Sequence, residues 1–272
     1  MADQQPGFTI PREKYYIAIA EIIIFSVVQI VQVTMKFLQE WRYWHHSKRK
    51  SYARCFLYSW FGLLGLLAQI RVAGSAIVIA NSQPDQSLLI AETVLQSVGL
   101  SPLLFEVSLV LLRSGQSGQS GPGNSRHPKY MRFLLHSFRI PVLISIVLVV
   151  VGGIIDIRAC TDAGTAVFVV TFVFIYGLIG WLALRVRPVL PPNGYHCVLV
   201  VLMTLPFLAV RVAYFLLGQY GSEKFSPVTG SGGVMVGMSL VMEIFIVILL
   251  LLARAVAEPF LPMREVEAES VA

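Results

Sequence analysis

The stretch Val234–Ala253, VMVGMSLVMEIFIVILLLLA, runs for twenty residues with a single charge, Glu243. A hydrocarbon core about 30 Å thick needs about 20 apolar residues at a rise of about 1.5 Å each, so this stretch has the length of a membrane-crossing helix. It is too long for a barrel strand and lacks strand alternation. The glutamate carries a second message. A charge in hydrocarbon is costly unless it is paired or wetted, so it marks either a tie between helices or a working site.

Six more stretches have the same character: Tyr15–Phe37, Arg54–Ala80, Ser87–Leu112, Arg132–Ile155, Ala163–Leu184 and Tyr195–Leu217. The whole chain is 56% hydrophobic and 13% charged, with mean hydropathy +0.72, well outside soluble globular usage. The expected fold is all-α, a polytopic membrane protein with a seven-transmembrane-helix bundle over residues 15–255, flanked by tails at 1–14 and 256–272. The first stretch reads as an uncleaved helix, since its apolar run is too long for a signal peptide and no polar domain follows. Three cysteines, Cys55, Cys160 and Cys197, cannot all pair, and only Cys160 falls on the non-cytoplasmic side, so no intramolecular disulfide is expected.

Loop charge sets the orientation. The first loop carries Lys36, Arg42, Lys48, Arg49, Lys50 and Arg54, the third Arg113, Arg126, Lys129 and Arg132, and the fifth Arg185 and Arg187. The second has no Lys or Arg, the fourth only Arg158 and the sixth only Lys224. The positive-inside rule puts the odd loops and the C-terminus in the cytoplasm and the N-terminus outside or in a lumen. The net charge of +6 is then mainly a topology signal, and the basic, aromatic run Trp41–Lys50 reads as a contact with anionic membrane lipids rather than with nucleic acid. The Gly/Ser/Gln-rich third loop reads as a flexible linker.

Five ionisable residues fall inside the apolar stretches: Glu21, Arg71, Glu92, Arg211 and Glu243. Counting from the outer end of each helix puts them all roughly 8 to 14 Å deep, in one layer. Glu106, Arg139 and Asp156 come out nearer helix ends, within reach of water. Helical spacing lines up Glu21 with Gln29 and Gln32, Trp60 with Arg71 and Ser75, Phe207 with Arg211 and Tyr214, and Ser239 with Glu243 and Arg254. Such stripes belong in the bundle interior. Pro102, Pro141 and Pro206 are expected to kink their helices, and Gly62–Gly65, Gly177–Gly180 and Gly233–Gly237 to allow close helix contact.

Three carboxylates against two guanidiniums leave one carboxyl without a cation, neutral and able to donate a proton. The plainer alternative is a set of ties, such as Arg71 with Glu92 and Arg211 with Glu243. No helix-interior lysine is available for a retinal Schiff base, and the five histidines show no ligand spacing, so neither a metal nor a cofactor is expected.

Arg71-Val72-Ala73-Gly74, Leu205-Pro206-Phe207-Leu208-Ala209-Val210-Arg211-Val212-Ala213-Tyr214 and Met242-Glu243 together resemble a fungal family of seven-helix integral membrane proteins whose domain has no known function. In size, helix number and buried carboxylates among aromatics, the chain is also similar to fungal membrane-bound terpene cyclases. That likeness implies an enzyme of meroterpenoid secondary metabolism that protonates an olefin or epoxide on a farnesyl or prenyl chain. Glu243 or Glu92 would then be the catalytic acid and Glu21 the final proton acceptor. Arg71 and Arg211 would orient the substrate's polar head, while Trp60, Phe207 and Tyr214 would face carbocations. The expected partners are a hydrophobic prenylated small molecule, membrane lipids, and, functionally, a prenyltransferase and a flavin monooxygenase. The endoplasmic reticulum is the expected location. The alternative is a transporter or sensor for an amphipathic small molecule or lipid, in which the same layer binds a polar group and changes protonation.

Overall fold

The computed structural model describes residues 12–44, 56, 59–60, 62–80, 99–116, 125–155, 157–185, 190–221, 225 and 232–257. Among these residues the chain is helical throughout, with no strand. The elements are α1 (Arg12–Trp44), α2 (Leu63–Ala80), α3 (Leu100–Gln116), α4 (Lys129–Ser137), α5 (Arg139–Ile155), α6 (Arg158–Arg185), α7 (Pro192–Tyr220), α8 (Gly232–Met235), a π-helical segment (Val236–Val241) and α9 (Met242–Val256).

Six helical rods are long and apolar enough to cross a membrane: Glu13–Gln39, Leu63–Ala80, Lys129–Ile155, Arg158–Arg185, Pro192–Tyr220 and Gly232–Val256. Their outward faces carry large apolar side chains, among them Ile23, Ile144, Val170 and Ile248, which only lipid would solvate well. The chain is thus an integral, multi-pass membrane protein. The seventh expected span, Ser87–Leu112, is represented by the 17-residue α3, and its first twelve positions, with Glu92, lie outside the described residues. So do the expected tails, apart from Arg12 to Lys14 and Val256 to Ala257, and, of the loop residues that set the expected orientation, Lys48, Arg49, Lys50, Arg54, Arg187 and Lys224.

α3 is the axis of the bundle. Leu103, Leu104, Val107, Val110 and Leu111 are all fully buried, so it is enclosed on every side, and it packs on α2, α7 and α9. Around it α1 pairs with α2, α5 with α6, α6 with α7, and α7 with α9. Glycines set the closest approaches. A Cβ at Gly164 would lie 2.8 Å from Val149 Cγ2 and 2.9 Å from Leu148 Cβ, so α6 can seat against α5 only without a side chain there. On α2, Gly65 faces the Gln29 amide of α1, and Gly62, just before α2, faces Gln32 and Lys36. The second expected small-residue contact differs: a Cβ at Gly177 or Gly180 meets nothing within 4 Å, so that face of α6 is open.

The prolines act in three ways. Pro141 cannot donate to the Ser137 carbonyl four residues earlier, and the rod breaks there, α4 ending at Ser137 and α5 beginning after a turn at Phe138. Pro102 lies in the first turn of the described α3, where its missing N–H costs no hydrogen bond among the described residues. Pro206 is carried within a continuous α7. The π segment immediately before Glu243 has no counterpart in the sequence expectation; insertions of this type gather at functional sites.

Candidate functional site

Four of the five expected charges meet. Glu21 lies nine residues from the start of α1, Arg71 nine from the end of α2, Arg211 nine from the end of α7, and Glu243 eleven from the start of α8. Those termini share one end of an antiparallel bundle, so counts of nine to eleven along four helices give nearly one depth. All four side chains are buried, Arg211 with 2% and Glu243 with 1% of its surface exposed.

Glu243 is the hub. Arg71 Nε donates to Glu243 Oε1 at 2.8 Å, and Arg71 Nη2 donates to Glu243 Oε2, a two-point fork that fixes both groups. Arg211 Nε approaches the same Oε2 at 3.5 Å. Arg71 thus takes Glu243, and Arg211 shares it, while Glu92, the expected partner of Arg71, lies outside the described residues. Beside them Ser75 Oγ donates to Glu21 Oε2 at 2.6 Å. The Arg211 guanidinium carbon sits 5.6 Å from the Tyr214 ring centroid, a cation–π contact in a site shielded from water.

The other expected aromatics stand apart from the charges. Phe207 stacks on Phe245 at 5.2 Å between centroids, and Phe245 is largely exposed. Trp60 is 42% exposed and packs on Phe56, ahead of the start of α2 at Leu63. Its place is the wall of a cavity of about 570 Å3 between α1 and α2, with Gln29, Ala68 and Ala73. A far smaller cavity, about 10 Å3, is lined by Leu100, Ser145 and Phe168. Neither wall contains Glu21, Arg71, Arg211 or Glu243.

Two donors at the centre remain unspent among the described residues. Arg211 Nη2 is buried without a hydrogen-bond partner, and so is Ser239 Oγ, in the π segment four residues before Glu243. A buried guanidinium nitrogen without an acceptor is a costly arrangement, and an acceptor-rich group would relieve it. No group of three metal-binding side chains is present among the described residues.

The sequence expectation misses a second buried ion pair. Glu106, expected near a helix end, is fully buried on α3, and Arg254 Nη2 of α9 lies 3.1 Å from its Oε1. Two residues further along α3, Ser108 Oγ accepts from Arg139 Nε at 3.0 Å. The available signal was the shared spacing of Ser239, Glu243 and Arg254 on the last helix, which points Arg254 inward.

A helical, multi-pass membrane protein with an arginine–glutamate centre buried among four of its helices is the class that fold and site define. The chain belongs to the family described as domain of unknown function DUF7702, whose family model matches residues 12–257. No curated protein and no solved structure matches the chain.

Proposed function

We propose that the protein binds the acidic head of an amphipathic small molecule or lipid at the Arg71–Glu243–Arg211 centre, acting as a transporter or sensor within the membrane. One observation carries this reading: Arg71 saturates Glu243, whereas Arg211 holds only the edge of that carboxylate at 3.5 Å and keeps Nη2 free. A carboxylate or phosphate entering beside Arg211 would take that donor and the Ser239 hydroxyl. Glu21, next to Arg71 through Ser75, would accept a proton to balance the added charge.

The test is thermal unfolding of detergent-purified protein with oleate or with uncharged oleyl alcohol. Oleate raises the midpoint of the wild type, the alcohol does not, and Arg211→Gln loses the oleate response. An equal response to both compounds, or an unchanged response in Arg211→Gln, overturns the proposal.

The cyclase reading is favoured by a different observation: among the described residues no guanidinium lies within ion-pair distance of Glu21. Arg71 engages both oxygens of Glu243, so in this reading the proton donor is Glu21 or Glu92. The substrate would be a prenylated molecule of fungal secondary metabolism, delivered by a prenyltransferase and a flavin monooxygenase. Glu21→Gln and Glu92→Gln would each be tested for product in microsomes given a farnesylated acceptor, with protein level as control; undiminished product in both removes this reading.

For topology we propose seven spans, with α3 completed by the residues before it, the N-terminus lumenal, the C-terminus cytoplasmic, and the endoplasmic reticulum as the location. The loop charge asymmetry supports this arrangement.

A further inference from the structure

We infer that the Glu106–Arg254–Arg139 cluster is a second binding site, for a phosphate-type oxyanion, at the opposite end of the bundle from the Glu243 centre. Arg254 lies two residues from the end of α9 and Arg139 opens α5, while Glu106 projects from the buried axis helix α3. Arg254 pairs with Glu106, and the half-buried Arg139 feels the same carboxylate electrostatically, so two guanidiniums accompany one carboxylate, an excess of one positive charge.

The hydrogen bonding of this cluster is unfinished, unlike the fork at Glu243. Arg254 Nη2 approaches Glu106 at 3.1 Å, yet neither Glu106 oxygen makes a hydrogen bond, and Arg254 Nε and Nη1 and Arg139 Nη2 are buried without partners among the described residues. Arg254 itself is only 6% exposed. A lone ion pair would align its fork on the carboxylate; here two nitrogens of Arg254 and one of Arg139 are left without an acceptor. A tetrahedral oxyanion has enough acceptors to satisfy two guanidiniums at once, which a single carboxylate does not.

Arg113, Arg126, Lys129 and Arg132 flank the same end of the bundle and draw anions toward it. The oxyanion comes from a lipid headgroup in the adjoining leaflet or from free phosphate. The argument uses neither Arg211 nor Glu243, so it stands independently of the proposed function.

Detergent-purified, delipidated protein is titrated with dioleoylphosphatidic acid, dioleoylphosphatidylcholine and inorganic phosphate, reading the shift in thermal midpoint. Two variants are compared with wild type: Arg139→Gln, and the charge-balanced pair Glu106→Gln with Arg254→Gln, which removes both ions together and so leaves neither buried alone. Each variant is expected to bind about tenfold more weakly or worse, the equivalent of one charge-assisted hydrogen bond. A response to phosphatidic acid that the variants lose assigns the site to a lipid head. A response to inorganic phosphate that they lose assigns it to a soluble oxyanion. Responses identical in wild type and both variants, or no response to either phosphatidic acid or inorganic phosphate, overturn the inference.

Discussion

Arg71 and Glu243, 172 positions apart in the chain, form a two-point ion pair between α2 and α9 in the middle of the bundle. Arg211 shares the same carboxylate from α7, so one side chain ties three helices. The two partners are therefore unequal. Glu243→Gln leaves two buried guanidiniums facing each other, whereas Arg71→Gln leaves Glu243 with Arg211 still beside it. Removing one member of a buried pair costs about 3–5 kcal/mol, and Glu243→Gln should lie at the high end of that range with Arg71→Gln clearly below it. Denaturant titration in mixed micelles measures both. The reverse order would show that Arg211 does not share the carboxylate.

Helix packing gives a paired expectation from two glycines of one helix. Gly164→Val forces a side chain into Val149 and Leu148 of α5, where over-packing costs about 1–3 kcal/mol. Gly177→Val points into open space on α6 and should leave the unfolding midpoint unchanged or raise it slightly, since valine is the better helix former. A Gly177→Val protein as damaged as Gly164→Val would mean that the open face is covered in the membrane, which chemical cross-linking in vesicles would detect.

The contrast between those glycines also shows what a sequence conveys. Gly62–Gly65 and Gly177–Gly180 have the same spacing, and spacing defines a face of a helix without saying what lies opposite it. Glu21, Arg71, Arg211 and Glu243 were legible as one layer because depth depends only on counting residues along helices of known rise. Their partners were not, since pairing is decided by how helices are arranged around α3. Glu106 shows this most clearly: counted from Leu112 it falls near a helix end, but α3 runs on to Gln116 at the centre of the bundle, and the ion-pair partner is 148 positions away at Arg254. Trp60 fails for the opposite reason. It shares a stripe with Arg71 on paper, but α2 begins at Leu63, so helical phase does not carry back to it.

Topology has its own test. Cys160, a half-buried free thiol in the first turn of α6, lies in the loop expected to face the lumen, and Cys197 is fully buried. In a Cys55→Ser background, a membrane-impermeant maleimide should label sealed microsomes only after the membrane is opened with detergent. Labelling of intact microsomes at Cys160 would invert the orientation.

His127 sets an acid limit on stability. Its ring lies against Gly115 at the end of α3, with Nε2 3.0 Å from the Leu111 carbonyl and 3.4 Å from Ser114 Oγ. The carbonyl only accepts, so Nε2 carries the proton and Nδ1, buried without a partner, keeps its lone pair. Burial holds the imidazole below its ordinary value of 6.5; the Leu111 hydrogen bond opposes that shift, and the charge on Arg132 adds to it. The unfolded chain thus binds this proton more readily than the folded one, and stability rises with pH across the window between the two values. Above 6.5 the residue has no effect on stability, and below it each step in acidity favours unfolding until the folded state titrates as well. The thermal midpoint of the wild type should accordingly fall between pH 7.5 and pH 5.5, and the fall should be smaller in His127→Gln, whose amide can still donate to Leu111 but does not titrate. An equal fall in both proteins would assign the acid sensitivity to other groups.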